Sequence, residues 1–302
     1  MTVELFDDRL DALVPRGASV DRLCTGAQWS EGPVYLPIEA AVIWSDIPND
    51  RLLRWTATEG LTVARSPSVF INGNTLDREG RIVHCSHGQR AITRVEEDGS
   101  ATVLVDRWQG LRLNSPNDVV VHADGSVWFT DPPYGILSDR EGYAADSEIN
   151  ANFVYRFDPA TGDLRAVVSD VEEPNGLAFS PAGDFLYVSD TSAALRSDGT
   201  GNHHIRRYRV SGHRALDGEV FVVVDPGLPD GFRIDSHGNL FTSSSDSIQV
   251  YAPDGTRLGK IGVPEKVSNC CWGGPDRNVL FITASTSLYS IQLSTTGSGL
   301  HW

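Results

Sequence analysis

Cysteine is scarce and unpatterned in this chain. Four occur in 302 residues: Cys24 and Cys85 stand alone and Cys270 and Cys271 are adjacent, so neither a CxxC pair nor a zinc-type spacing is present. They read as small buried hydrophobes in reduced form, with a disulfide from Cys24 to the C-terminal pair as the alternative. Positive charge is also short, since 25 Lys and Arg against 40 Asp and Glu leave a formal charge of −15. So acidic a chain has little with which to hold a phosphate backbone or an anionic bilayer, which excludes nucleic acid and membrane surfaces as first readings. No apolar run approaches the length of a membrane span, while a hydrophobic content of 40% is too high for a disordered chain. The opening MTVELFDDRL has acids where a secretory signal has basic residues, so the expected location is the cytoplasm.

What is present is a repeat. Residues 3–14 (VELFDDRLDALV) place Leu5, Phe6, Leu10 and Leu13 on one stripe and are expected to be helical, within an N-terminal extension reaching residue 18. The rest is a succession of short runs rich in Val, Ile, Phe, Tyr and Trp, such as AVIWSD, SVWFTD, FLYVSD and NVLFIT, broken by Gly, Asp, Asn and Pro. Four segments begin with an Asx and reach a turn glycine eight positions later: Asn72 to Gly80, Asn117 to Gly125, Asn175 to Gly183 and Asp230 to Gly238. Two more, from Glu31 and Asn269, fit without that glycine. The six starts are spaced by 41, 45, 58, 55 and 39 residues, the size of a four-stranded propeller blade. The expected fold is all-β, a six-bladed β-propeller of four-stranded blades forming a single domain over residues 1–302. The sixth repeat runs out after its third strand, LYSIQL, and SVDRLCT, ahead of the first repeat, is the surplus strand expected to complete it. A pair of β-sandwiches is the alternative, but it gives no reason for six matched starts.

In a propeller the innermost strands line a central channel and their first residues gather at one face. Here those residues are Glu31, Asn72, Asn117, Asn175, Asp230 and Asn269, all oxygen donors. Such a set suits a hard cation, and with no histidine pair at zinc-like spacing Ca²⁺ is expected before Zn²⁺. Any one Asx-Gly pair is also ordinary turn chemistry; six aligned polar starts favour the cation. Behind them Asp46, His87, Asp131 and Asp190 fall fourteen or fifteen residues after their repeat starts. Asp46 reads as a strand-end cap, Asp131 and Asp190 as groups orienting the amide ligands, and His87 as a proton shuttle or a structural residue. Two insertions, 132–151 and 191–203, belong to the same face. The connector 106–116 puts Trp108 and Arg112 there, either as substrate contacts or as ordinary loop residues.

The motifs SEGPVY with WSDI, NSPNDVVVHADGSVWFTDPPYG, EPNGLAFSPAGDFLYVSD and LPDGFRIDSHGNLF, in that order over roughly residues 20–292, resemble the SMP-30/gluconolactonase/luciferin-regenerating-enzyme family. The resemblance implies one catalytic divalent cation in the channel, held by Glu31, Asn175 and Asp230, with Asn117 as a substrate contact or further ligand. It implies hydrolysis of a sugar lactone, such as glucono-1,5-lactone, to the aldonic acid. Asp230 is then the expected general base, and Arg112, Asn117 and Tyr134 are expected to face the substrate. Where animal members carry a substrate-contacting arginine, two positions before that Asn, this chain has Ser115. The cation expected is Ca²⁺, with Zn²⁺, Mn²⁺ or Mg²⁺ as alternatives. The partner expected is a small-molecule sugar lactone, met by a monomer or homodimer. The competing readings are a promiscuous lactonase or organophosphate hydrolase on the same metal site, and a non-catalytic calcium-binding propeller.

Overall fold

The computed structural model describes residues 3–299. Six antiparallel sheets of four or five strands follow one another along the chain, with a two-stranded hairpin, Arg107–Trp108 and Leu111–Arg112, between the second and third. Their innermost strands are Ser30–Leu36, Ile71–Leu76, Val119–Val121, Pro174–Phe179, Phe232–Ile234 and Val267–Gly273, for blades 1 to 6. Each of these strands lies against the next one round, and that of blade 6 lies against that of blade 1, so the ring closes. Among the described residues no helix is long and apolar enough to cross a membrane.

Strand periodicity explains how the blades stack. Alternate residues of a strand point to opposite faces, so each sheet is apolar on both. In blade 1, Val42 and Trp44 pack towards blade 6, while Ala41 and Ile43 pack towards blade 2. Six apolar clusters result, one at each junction between neighbouring blades. Trp108 is half-buried and packs against the one between blades 2 and 3, with its ring 5.2 Å from Phe153 and 5.7 Å from Tyr155.

Asp21–Thr25 pairs antiparallel with Ser287–Gln292 as the fourth strand of blade 6, the closure expected for SVDRLCT. All four cysteines are free; Cys24 and Cys271 share a cluster without bonding, which removes the disulfide alternative. The N-terminal helix is also corrected. Val3–Leu5 is a strand that pairs with the outer strand Arg257–Gly262 of blade 5. Asp8–Ala12 is a short 3₁₀ helix, with the Asp7 carboxylate accepting the Arg9 N–H at 3.0 Å. Only the second half of the apolar stripe is buried, and without a full helix. Leu10, Leu13 and Val14 enter the core between blades 5 and 6, while Phe6 stays exposed beneath the Arg257 guanidinium at 5.0 Å. The open edge of blade 5 offers the first residues backbone hydrogen bonds that a helix would forgo.

Candidate active site

Each repeat start lies at or near the beginning of an innermost strand, and where a glycine follows it, at 32, 73, 176 and 231, neighbouring blades come into close contact. The Gly73 N–H donates to the Asn117 carbonyl at 2.8 Å and the Gly176 N–H to the Asp230 carbonyl at 3.0 Å. A Cβ on Gly32 would lie 2.1 Å from the Asn72 carbonyl oxygen, on Gly73 2.5 Å from that of Asn117, and on Gly176 2.4 Å from that of Asp230. Of these three only Gly32 has a positive φ, +55°. Close approach around the channel, rather than turn geometry, is therefore what most of these glycines provide. Pairing also slips beside several starts, between Glu31 and Val34, Ile71 and Asn74, Pro174 and Leu177, and Val267 and Asn269. Bulges of this kind re-aim side chains, here towards the channel.

Glu31 is buried, and its Oε2 accepts from the Gly32 N–H at 2.7 Å and from Asn269 Nδ2 at 3.1 Å. Its Oε1 is buried with no hydrogen-bond partner. Asn269 has its own Oδ1 on the Cys270 N–H at 2.8 Å, so it serves Glu31 and has less oxygen to offer the channel. Asn72 Nδ2 lies 3.2 Å from His87 Nε2, and His87 Nδ1 lies 2.8 Å from the Glu141 carbonyl. A carbonyl only accepts, so Nδ1 carries the proton, Nε2 accepts from the amide, and the Asn72 Oδ1 is left for the channel. Burial lowers the His87 pKa to about 4, so the ring is neutral at physiological pH. Asn175 Nδ2 donates to Thr191 Oγ1 at 3.2 Å, and that hydroxyl is 2.7 Å from the Tyr134 hydroxyl. Asn117 is buried and held through its backbone, its N–H donating to the Thr130 carbonyl at 2.9 Å. Asp230 is partly exposed at the mouth.

Burial pushes the Glu31 carboxyl well above the usual carboxylate range, and the Asp230 charge pushes it further. Asp230 is raised for the same first reason, with Lys266 opposing the rise. The charge of Asp230 thus bears directly on Glu31. The charge of Asp118 bears on both. Asp118 follows Asn117, where four other repeats have glycine, and its Oδ2 accepts from Arg233 Nη1 of blade 5 at 3.2 Å. Sequence reasoning missed this pair, although a carboxylate in a glycine position was a readable signal.

The remaining expected residues hold the rim. Asp46 accepts from the Gln28 and Trp29 N–H groups and from Arg51, as a strand-end cap. Asp131 accepts from the Asn114 N–H at 2.8 Å, and Asp190 from the N–H groups of Glu172, Glu173 and Ser192. Both therefore anchor the backbone leading into Asn117 and Asn175. Tyr134 joins the two insertions through Thr191. Insertion 132–151 also packs on blade 2, Tyr143 edge-on to Phe70 at 5.3 Å and Gly135 against the His87 ring. Arg112 Nη2 donates to the Gln89 carbonyl at 3.1 Å. Among the described residues no three His, Cys, Asp or Glu side chains gather as a metal cluster; the oxygen set consists of two carboxylates and several amides.

The family model described as SMP-30/Gluconolactonase/LRE-like region matches residues 29–286. The chain is 35% identical to a gluconolactonase of Zymomonas mobilis, over 97% of this chain and 86% of that protein. It is 30% identical to pentonolactonase XacC of Haloferax volcanii, over 86% and 83% respectively. A solved gluconolactonase structure from Xanthomonas campestris superposes with a TM-score of 0.90 at 38% identity, covering 97% of this chain and 95% of that one.

Proposed function

We propose that this chain, which belongs to the SMP-30/gluconolactonase/LRE-like family, hydrolyses sugar lactones at the mouth of its channel with a divalent cation, Ca²⁺ first, as resident cofactor. The observation that carries the cation is Glu31 Oε1, a buried carboxylate oxygen without a partner. Native proteins rarely leave such an atom unsatisfied. Asp118 is already balanced by Arg233, so Glu31 and Asp230 present two negative charges, the number a divalent cation cancels. Oxygen donors without grouped His or Cys favour Ca²⁺ over Zn²⁺.

Glu31, Asn175 and Asp230 would hold the ion, with the Asn117 and Asn72 amides adjoining. Bound there, it would polarise the lactone carbonyl and offset charge developing on its oxygen. Asp230, the more exposed carboxylate, accepts a proton from the attacking water as the water oxygen bonds to the carbonyl carbon. The proton is returned to the ring oxygen as the ring C–O bond breaks, so one water is consumed and one hydroxy acid leaves. Glu31, buried and bonded to Gly32 and Asn269, stays in place as a holder. Asn117 contacts the substrate, and Tyr134 ties together the two loops that border it.

The test is lactone hydrolysis on glucono-1,5-lactone and a pentonolactone, before and after chelation, with the metal identified by elemental analysis. Activity lost to EDTA, restored by Ca²⁺ and absent in Asp230→Ala supports the reading. Activity that survives both treatments overturns it.

A further inference from the structure

The chain contains only two lysines, Lys260 and Lys266. Lys260 is engaged at the outer edge of blade 5, by Glu4 at 3.3 Å and Asp246 at 3.4 Å. Lys266 lies in the connection from blade 5 to blade 6, just before the strand that carries Asn269, and is exposed. Its ammonium sits 5.3 Å from the centre of the Trp29 ring, and Trp29 is two residues ahead of Glu31.

Backbone contacts fix this corner. The Lys266 carbonyl accepts from the Ser285 N–H at 3.0 Å, and Trp29 is held through its own N–H on Asp46 at 3.3 Å. Ser268 accepts from the Gly231 N–H at 2.7 Å, beside Asp230, and its hydroxyl donates to the carbonyl of Ser30, beside Glu31. Lys266, Trp29, Glu31 and Asp230 therefore share one side of the mouth. Among the described residues Lys266 makes no ion pair, since neighbouring Glu265 is taken by Thr286 and Tyr289.

An ammonium has three donors and no acceptor, and an indole face steadies it in one place. A lactone substrate carries no charge, so the acceptor that fits is a neutral oxygen. Resting on the lactonase reading, we propose that Lys266, steadied on Trp29, determines specificity at this site by donating hydrogen bonds to substrate hydroxyl groups. It thereby selects polyhydroxylated lactones over alkyl lactones of the same ring size. Arg112, the other cation expected near the substrate, donates to the Gln89 carbonyl.

The experiment measures kcat and KM for glucono-1,5-lactone and δ-valerolactone with wild type, Lys266→Met, Lys266→Arg and Trp29→Phe, all saturated with Ca²⁺. Lys266→Met is expected to raise KM for the hydroxylated lactone about 10-fold, the worth of one charged hydrogen bond, with kcat within about 2-fold. Valerolactone kinetics stay unchanged, Lys266→Arg restores most of the affinity, and Trp29→Phe gives an intermediate KM. An unaltered KM overturns the proposal. So does an equal loss on both lactones, which would mean that Lys266 acts through the charge of Asp230. A wild type that hydrolyses neither lactone overturns the lactonase reading itself, and this inference with it.

Discussion

The N–H of Gly176 donates to the carbonyl of Asp230 at 3.0 Å, across the junction between blades 4 and 5. The contact exists because position 176 has no side chain: a Cβ there would lie 2.4 Å from that oxygen. The obstructing atom is backbone, so it cannot swing aside as the tip of a flexible side chain could. The main chain that positions Asp230 is thus set directly by its neighbour's lack of a Cβ.

Gly176→Ala and Gly73→Ala are therefore expected to cost about 2 kcal/mol or more each and to lower kcat/KM at least ~10-fold. Gly80→Ala is the control. It faces open space with φ +80°, so it should cost about 1 kcal/mol and leave kcat/KM unchanged. Urea melts and initial rates on the three variants check this; equal losses of activity would refute the close-approach account.

His87 holds the Asn72 amide while tied to the Glu141 carbonyl of an insertion. His87→Ala should lower kcat/KM by ~10- to 100-fold, the usual cost of losing a partner behind a ligand. Because His87 is already neutral above about pH 4, the pH–rate profile between pH 5 and 9 should keep its shape in His87→Gln. A limb near neutrality that this variant abolishes would instead make His87 the proton carrier.

Glu31→Gln removes one of the two carboxylates. In EDTA the variant should melt above the wild type, since a buried charge raised by Asp230 is gone. In Ca²⁺ the order should reverse. The wild type gains on the order of 10 °C at saturating ion, and the variant gains little. Thermal melts with and without Ca²⁺ decide it, independently of any activity.

Asp131 links pH to stability. Burial raises its pKa in the folded chain to about 7, against 3.8 as the ordinary value. The stability from holding that proton is complete below about pH 4 and is lost as pH rises through about 7, a decline of a few kcal/mol at most. Asp131→Asn should flatten it, so its urea midpoints at pH 5 and pH 8 should differ less than those of wild type. Identical slopes for the two proteins would rule Asp131 out as the source.

The ring was legible because glycine spacing and strand alternation are local signals that repeat. The same signals exposed Asp21–Thr25 as a strand in need of a partner. Other features depended on contacts that no spacing records. Arg233 meets Asp118 across the channel, 115 residues away in sequence. Leu10 and Leu13 have a helical spacing, yet their burial between blades 5 and 6 is achieved with a 3₁₀ helix and an edge strand. Arg112 and Tyr134 sit in the expected loops, but the partners of their polar ends are set by tertiary contacts.

Asp21–Thr25 completes a sheet whose other strands end at Gln292, so the first blade cannot be braced against the last until almost the whole chain has been synthesised. Glu31 comes from that first blade, and Asn269, which holds its carboxylate, from the last. On the ribosome the earlier blades can stack one by one, but the carboxylate corner waits for the final strand. Assembly of that corner and closure of the ring would then be a single late event, and a chain truncated before blade 6 would lack the Asn269 that holds the Glu31 carboxylate.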